Sequence, residues 1–414
     1  MSASSADFVR NQQMQEAWDA ALDVLKPSKR DLEHGLELHA SSIVCETYGF
    51  SPYCAVDGDR LKQMIEDGAS EQELLDATEN MMMTRCVTSP VERAEYQNAW
   101  KATGITCIFQ NAGVESQAPL EIIKRLARYT YVVDNMPEFL IRATHPDHIV
   151  AAKRQGKHCM YMSSNGVPLS QQWVSVEEEL RYIEVFHQLG VRMMHLTYNR
   201  RNMIGDGCAE PANAGLSDFG RAVIREMNRV GVIPDVAHSG HRTSLEAAQA
   251  SDLPVVASHS GCSALNDHIR CKPDEVIKAI ADSGGYVGIV AVPHFLGLSK
   301  DINAVLDHID YIAKKFGPDY VTIGTDVAYR SSNDPAERAK VPRTRRVRPR
   351  WESFWPGDSR SQGARHPSLA WTNWPLYTVG LVQRGYSDED IQKIIGGNML
   401  RVARAYARSG DQRI

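Results

Sequence analysis

The chain has 414 residues, 43% of them hydrophobic and 23% charged, with a formal net charge of -5. This is the composition of a soluble globular protein, long enough for one large domain or two ordinary ones. It gives no general electrostatic attraction to nucleic acid or an anionic membrane, and no window holds the run of about eighteen apolar residues that a span requires.

The first segment, "MSASSADFVRNQQMQEAWDAALDVL", is polar and then amphipathic. It lacks the continuous apolar stretch of a signal peptide, so residues 1–34 read as a helical extension. The eight cysteines are scattered without a CxxC pair. Without a secretion signal they read as reduced thiols, and the cytoplasm is the default location.

Short apolar segments then alternate with helical ones. The candidate strands are "GLELHA" (35–40), "GITCIFQ" (104–110), "KHCMYMS" (157–163), "VRMMHLT" (191–197), "GVIPDVAH" (231–238), "PVVASH" (254–259), "GGYVGIVAV" (284–292) and "DYVTIGTD" (319–326). They are apolar on both faces, as buried parallel strands are. Between them, "LSDFGRAVIREMNRVG" (216–231) has an N-capping Ser217, an apolar stripe and a terminal Gly231, and "DINAVLDHIDYIAKKFG" (301–317) follows the same grammar. Eight strands alternating with helices predict a (β/α)8 TIM barrel over 35–407. An open doubly wound sheet is the alternative, but no GxGxxG opens a helix after the first strand. The irregular stretch 330–367, rich in Arg, Pro and Trp, follows strand eight and is expected over the barrel mouth.

Barrel catalysis uses residues where strands end. His39, Gln110, Asn165, Tyr198, His238, His259 and Asp326 stand there. A lone strand-end histidine is ordinarily a hydrogen-bonded packing residue. His238 in "PDVAHSG" and His259 in "PVVASHSG" close two successive strands, which points to a shared metal. A metal with an open position brings the pKa of its water to roughly 7. His39 alone is evenly balanced between packing and ligation; Asp326 can cap a loop, but its place after "VTIGT" at the end of the last strand favours function. His145 and His148 in "ATHPDH" read as capping or surface residues, and His241 as solvated.

Arg270, in "NDHIRCKPDE", is placed to pair with a substrate carboxylate, though a surface role fits the sequence equally well. Arg343, Arg345, Arg346, Arg348 and Arg350, followed by Trp351 and Trp355, form a short basic run in an acidic chain without a nucleic-acid module. A lid or a subunit contact suits them better.

Taken in order, "LGVRMMHLTYNRRN", "GLSDFGRAVIREMNRVGVIPDVAHSG", "PVVASHSG", "IRCKPDE", "VTIGTD" and "GYSDEDIQKIIGGNMLRVAR" resemble the membrane dipeptidase (renal dipeptidase) family of the amidohydrolase superfamily, from about residue 100 to 406. The resemblance implies a barrel with two zinc ions, hydrolysis of dipeptides including some with a D-residue, and dimers. His238 and His259 match the histidine pair on the second zinc, Arg270 the arginine on the substrate carboxylate, and Asp326 the acidic residue ending strand eight. His39 matches the first histidine of a strand-one His-x-Asp. Ser41 then stands where its aspartate belongs, Asn165 replaces a bridging glutamate, and Tyr198 replaces a substrate-contacting histidine. Two lost carboxylates remove the charge that offsets two dications. One zinc, or another divalent ion, on His238 and His259 is therefore expected, with His39, Asn165 and Asp326 as further candidate ligands.

The expected activity is a metal-dependent amide or peptide hydrolase. Asp326 shuttles the proton, Tyr198 steadies the oxyanion, and Arg270, Asn165 and Tyr198 contact a small carboxylate-bearing substrate, in a homodimer or larger homo-oligomer without nucleic-acid or membrane partners. The alternatives are altered, metal-free chemistry on the same barrel (a decarboxylase, a lyase or an amide-forming enzyme) and a non-catalytic binding relative.

Overall fold

The computed structural model describes residues 8–113, 118–297, 299–342, 355 and 365–411. Eight parallel strands follow one another around a barrel: β1 Cys45–Gly49, β2 Cys107–Asn111, β3 His158–Ser164, β4 Val191–His195, β5 Ile233–Asp235, β6 Val256–Cys262, β7 Tyr286–Ile289 and β8 Val321–Ile323. Short added strands, Leu140–Arg142 and Cys271–Lys272, pair beside β3 and β6. The ring closes where β8 returns to β1: Thr47 Oγ1 donates to Ile323 O at 3.1 Å, and the Asp326 amide to Tyr48 O at 3.2 Å. The TIM barrel expected from the alternation is the fold observed.

Side chains fill the barrel. Cys45, Cys107, Phe109, Cys159, Tyr161, Met193 and Tyr286 are buried inside it and join Met399, Leu400 and Tyr406 of the last helix, Asn398–Asp411. Thr47 crosses the interior to Ser258 O at 2.9 Å. Backbone comes so close there that a Cβ on Gly288 or Gly324 would lie 2.0 Å from Ser258 O, so neither position tolerates a side chain. The opposite strand faces carry Ile108, Met160, Met194, Ala257, Val287 and Ile323 into the core beneath the helices. Helix Asp218–Val230 has its Ser217 N-cap and a Gly231 C-cap with φ 97°, as predicted, and Ile302–Lys315 begins on Asp301. Among the described residues, no helix is long and apolar enough to cross a membrane.

Strand one is not where the apolar pattern put it. "GLELHA" lies in helix α2 (Lys29–Ser41), which follows α1 (Gln12–Leu25) and starts on a Ser28 cap. The spacing of Leu32, Leu36 and His39 is helical, and the helix packs on Trp374–Gln383. The true β1, CETYG, carries a glutamate and a threonine and so lacks an apolar run, although every residue in it is buried.

Glu46 on β1 is fully buried, accepting from the Thr325 amide at 3.1 Å, the Thr325 hydroxyl and Trp371 Nε1 at 2.5 Å. Burial outweighs these donors and raises its carboxyl pKa to about 8. Between an unfolded pKa of about 4.3 and the folded value, only the folded chain holds this proton. Glu46 is thus expected to lower stability progressively as pH rises through that window, by at most about 1.4 kcal/mol per unit. Urea melts at pH 5.5 and 8.0 check this, with Glu46→Gln expected to flatten the difference.

Candidate metal centre

At the carboxyl ends of β4, β5 and β6 the chain gathers three imidazoles and one carboxylate, all buried. His195 is the last residue of β4 and Asp235 the last of β5; His238 lies three residues beyond β5, and His259 is within β6. Nε2 of His238 and Nε2 of His259 face each other at 3.0 Å. The other nitrogen of each ring is held: His238 Nδ1 donates to Asn199 Oδ1 at 2.9 Å, and His259 Nδ1 lies 2.8 Å from Ser258 Oγ. The Asn199 oxygen selects the His238 tautomer that leaves Nε2 a lone pair, and the Ser258 hydroxyl holds the His259 ring in place, the outer support that metal-ligating histidines use.

Phenols cap both rings. Tyr198 stacks on His238 with centroids 3.8 Å apart, and Tyr48 on His259 at 3.9 Å. Burial first, and then the positive charge of Arg270, hold the pKa of both histidines well below the ordinary imidazole value. They are neutral, the form in which imidazole is a ligand.

Asp235 is anchored through Oδ1, which accepts from the amides of Ala237 at 2.9 Å and Ser258 at 3.0 Å. Its Oδ2 lies 2.8 Å from His195 Nε2. The two face each other as an ion pair, without the geometry of a hydrogen bond at Oδ2 or at either ring nitrogen of His195. Burial pushes the Asp235 carboxyl up, but His195 and the Ser258 amide pull it further down, below the usual carboxylate range.

Behind this layer lie two buried basic side chains. Arg270 donates to Ala237 O, and to His259 O at 3.2 Å. Lys272 donates to Val236 O at 2.7 Å, Ser239 O at 2.8 Å and Ser244 Oγ at 3.0 Å. Burial and then Arg270 lower the Lys272 pKa to about 7. Phe295 covers the Arg270 guanidinium at 5.4 Å, and Trp355 stacks on Phe295 at 5.8 Å.

Several expectations are corrected by this geometry. His39 is on the outer helix α2, where Nε2 donates to Thr103 O at 2.8 Å and Nδ1 pairs with Thr378 Oγ1 at 2.7 Å, so it has no lone pair for a metal. Ser41 ends that helix and is not at the site; the end of strand one carries Tyr48 instead. Asn165 does follow β3, but its amide oxygen accepts the Tyr48 phenol at 2.5 Å, which engages its one good metal-seeking atom. Asp326 sits in the first turn after β8 with φ 57°. The carboxylate that groups with histidines among the described residues is Asp235, not Asp326. Arg270 is fully buried with two donors on main-chain carbonyls, which is not the surface arginine that the sequence equally allowed. His241 is half-buried and donates to Cys271 O at 3.1 Å rather than being solvated, while His145 caps its helix as read. Arg343, Arg345, Arg346, Arg348, Arg350 and Trp351 lie outside the described residues.

Tyr48, His195, Asp235 and Lys272 were not singled out from sequence. His195 carried a usable signal, since it ends the apolar run "VRMMH" as the other two histidines end theirs. Tyr48→Phe is expected to cost about 1–2 kcal/mol by stranding the Asn165 oxygen while leaving metal content unchanged. Urea denaturation and elemental analysis read the two; loss of metal would make Tyr48 a ligand.

The family model described as Membrane dipeptidase (Peptidase family M19) matches residues 80–335. The chain belongs to this family. Dipeptidase tcpJ of Claviceps purpurea (strain 20.1) is 28% identical over 263 residues, covering 62% of this chain and 53% of that protein. The chain spans about half the length of the curated relatives it matches. Among solved structures, an amidohydrolase from Pseudomonas aeruginosa is 26% identical with a TM-score of 0.64, covering 90% of this chain and 98% of that one. The probable dipeptidase PvdM from Pseudomonas aeruginosa shares the fold, at 20% identity and a TM-score of 0.65, covering 92% of this chain and 99% of that one. Dipeptidase-type hydrolase chemistry and a divalent metal are what membership of M19 carries.

The residues present fit one such ion. Two converging imidazole nitrogens are donors zinc takes at about 2.0–2.1 Å, and their 3.0 Å separation spans a single ion. They do not fit a pair. Tyr48 stands near the end of strand one, the Asn165 oxygen is engaged, and the buried Arg270 guanidinium sets a positive charge behind the histidines.

Proposed function

We propose that this M19 chain is a one-metal hydrolase that cleaves the amide bond of a small, carboxylate-bearing, dipeptide-like substrate, with zinc as the first choice of ion. The observation that carries the reading is the pair of aimed Nε2 atoms of His238 and His259, 3.0 Å apart at adjacent strand ends. Both rings are neutral and held from behind, so the site is preorganised for an ion rather than assembled around one.

When bound, the ion supplies Lewis acidity and activates water at neutral pH. The remaining work falls to the protein. Asp326 accepts the proton of the attacking water and returns it to the leaving amine, so no proton is lost. Tyr198, fixed against His238, donates to the oxyanion that replaces the scissile carbonyl. Arg270, beyond its two carbonyl bonds, has remaining N–H donors for the substrate carboxylate. Asn165 and Tyr198 contact the substrate in this proposal. A homodimer and a cytoplasmic location complete the proposal.

The test is hydrolysis of a panel of L,L- and L,D-dipeptides by zinc-loaded protein. Turnover that disappears when the terminal carboxylate is amidated supports the reading. No cleavage of any dipeptide by protein with its metal in place would move the assignment to altered chemistry on the same barrel.

A further inference from the structure

His195 and Asp235 are fully buried, yet the site as read so far gives them nothing to do. Neither nitrogen of His195 has a hydrogen-bond partner among the described residues, and neither does Oδ2 of Asp235. A buried polar atom left unpaired costs about 1–3 kcal/mol, and native proteins leave few of them. Two of these atoms, His195 Nε2 and Asp235 Oδ2, face each other 2.8 Å apart and can share one partner; His195 Nδ1 cannot turn to it. That partner must accept electron pairs from both an imidazole and a carboxylate, and a divalent cation does so.

The geometry agrees. His195, Asp235 and His259 each offer an atom, and these atoms all lie within 4.8 Å of one another. His195 Nε2 and Asp235 Oδ2 are 2.8 Å apart; His238 lies outside this three-residue group and joins it through His259, whose Nε2 is 3.0 Å from its own. Two donors at about 2.0–2.1 Å from a tetrahedral ion stand about 3.3 Å apart, so both pairs need only small outward shifts. The rings already converge, with His195 5.3 Å from His238 and 5.4 Å from His259, centroid to centroid. Asp235 is set in place by the Ala237 and Ser258 amides on Oδ1, which turns Oδ2 inward. That is the outer support a ligating carboxylate needs.

We infer that the ion is held by His195, Asp235, His238 and His259, a three-histidine, one-aspartate set drawn from β4, β5, β6 and the turn after β5. This rests on the one-metal reading above and deepens it. Strands one and three contribute no ligand, because Tyr48 and Asn165 bond to each other instead. As ligands, three imidazoles and one carboxylate would leave a divalent ion with one net positive charge.

The full chain, stripped with a chelator, is titrated with Co2+ and with Zn2+. Stoichiometry is read by calorimetry and the coordination shell by the visible Co2+ spectrum. Wild type is expected to take up one ion. His195→Gln and Asp235→Asn are expected to weaken it at least about 100-fold, beyond the range of an outer-support mutation, and to alter the Co2+ spectrum, with far-UV circular dichroism unchanged. Asp235→Asn keeps the oxygen that accepts the two amides, so it also serves if His195→Gln fails to fold. X-ray absorption on Zn2+-loaded wild type needs no variant: three imidazoles are expected, and two would overturn the assignment. Wild-type affinity and spectrum in both variants, alongside loss in His238→Ala, would overturn the inference and leave the one-metal reading standing. No uptake of either ion by wild type would overturn both.

Discussion

His259→Ala is expected to abolish metal uptake and turnover together. The residue gives its Nε2 to the shared centre, its carbonyl to Arg270 and its ring face to Tyr48. Its Nδ1 is fixed by Ser258. Lewis-acid activation is worth several kcal/mol, so its loss lowers turnover on the order of 10³-fold or more. Elemental analysis and dipeptide turnover on one preparation check it. Full activity in the variant would rule out metal hydrolysis at this site. Metal retained with turnover lost would instead place His259 against the substrate.

The second large effect is at Arg270. Its guanidinium is fully buried and ties together the carbonyls of Ala237 and His259, so it braces the backbone that carries both aimed histidines. Arg270→Ala leaves two buried carbonyls without these donors and opens a cavity. A loss of about 3 kcal/mol or more in urea unfolding is expected, with metal affinity down about 10–100-fold, as for outer supports of a metal site. Arg270→Lys separates bracing from substrate binding. Lysine cannot match a planar fork to a carboxylate, so KM is expected to rise further than stability falls. Unchanged KM in Arg270→Lys would leave Arg270 a brace alone.

Most of the barrel was legible in the chain. Strands two to eight are buried on both faces and so read as apolar runs, and the caps at Ser217 and Gly231 mark a helix to the residue. Strand one escaped because its burial is met by hydrogen bonds rather than apolar side chains: Glu46 is satisfied by Thr325 and Trp371, and Thr47 by Ser258 and Ile323. Only the folded chain brings those partners together. The error carried His39 and Ser41 into the site with it. His238 and His259 were legible because each follows a β-branched run and is flanked by small residues. Asp235 was hidden inside such a run. His195 ends the apolar run VRMMH, three residues before the Tyr198 that the motif resemblance places at the site. The Tyr48–Asn165 bond joins residues 117 positions apart and has no local signature.

The central claim is one divalent ion at a site where three imidazoles and one carboxylate converge. Metal content per chain tests it most directly, by elemental analysis on protein purified without added metal and again after zinc supplementation. One ion per chain, gained or already present, is the result predicted. Two ions after supplementation would contradict it, because a second site would then exist despite Tyr48 and Asn165. None after supplementation would contradict it more deeply and place the chemistry of this barrel outside metal-dependent hydrolysis.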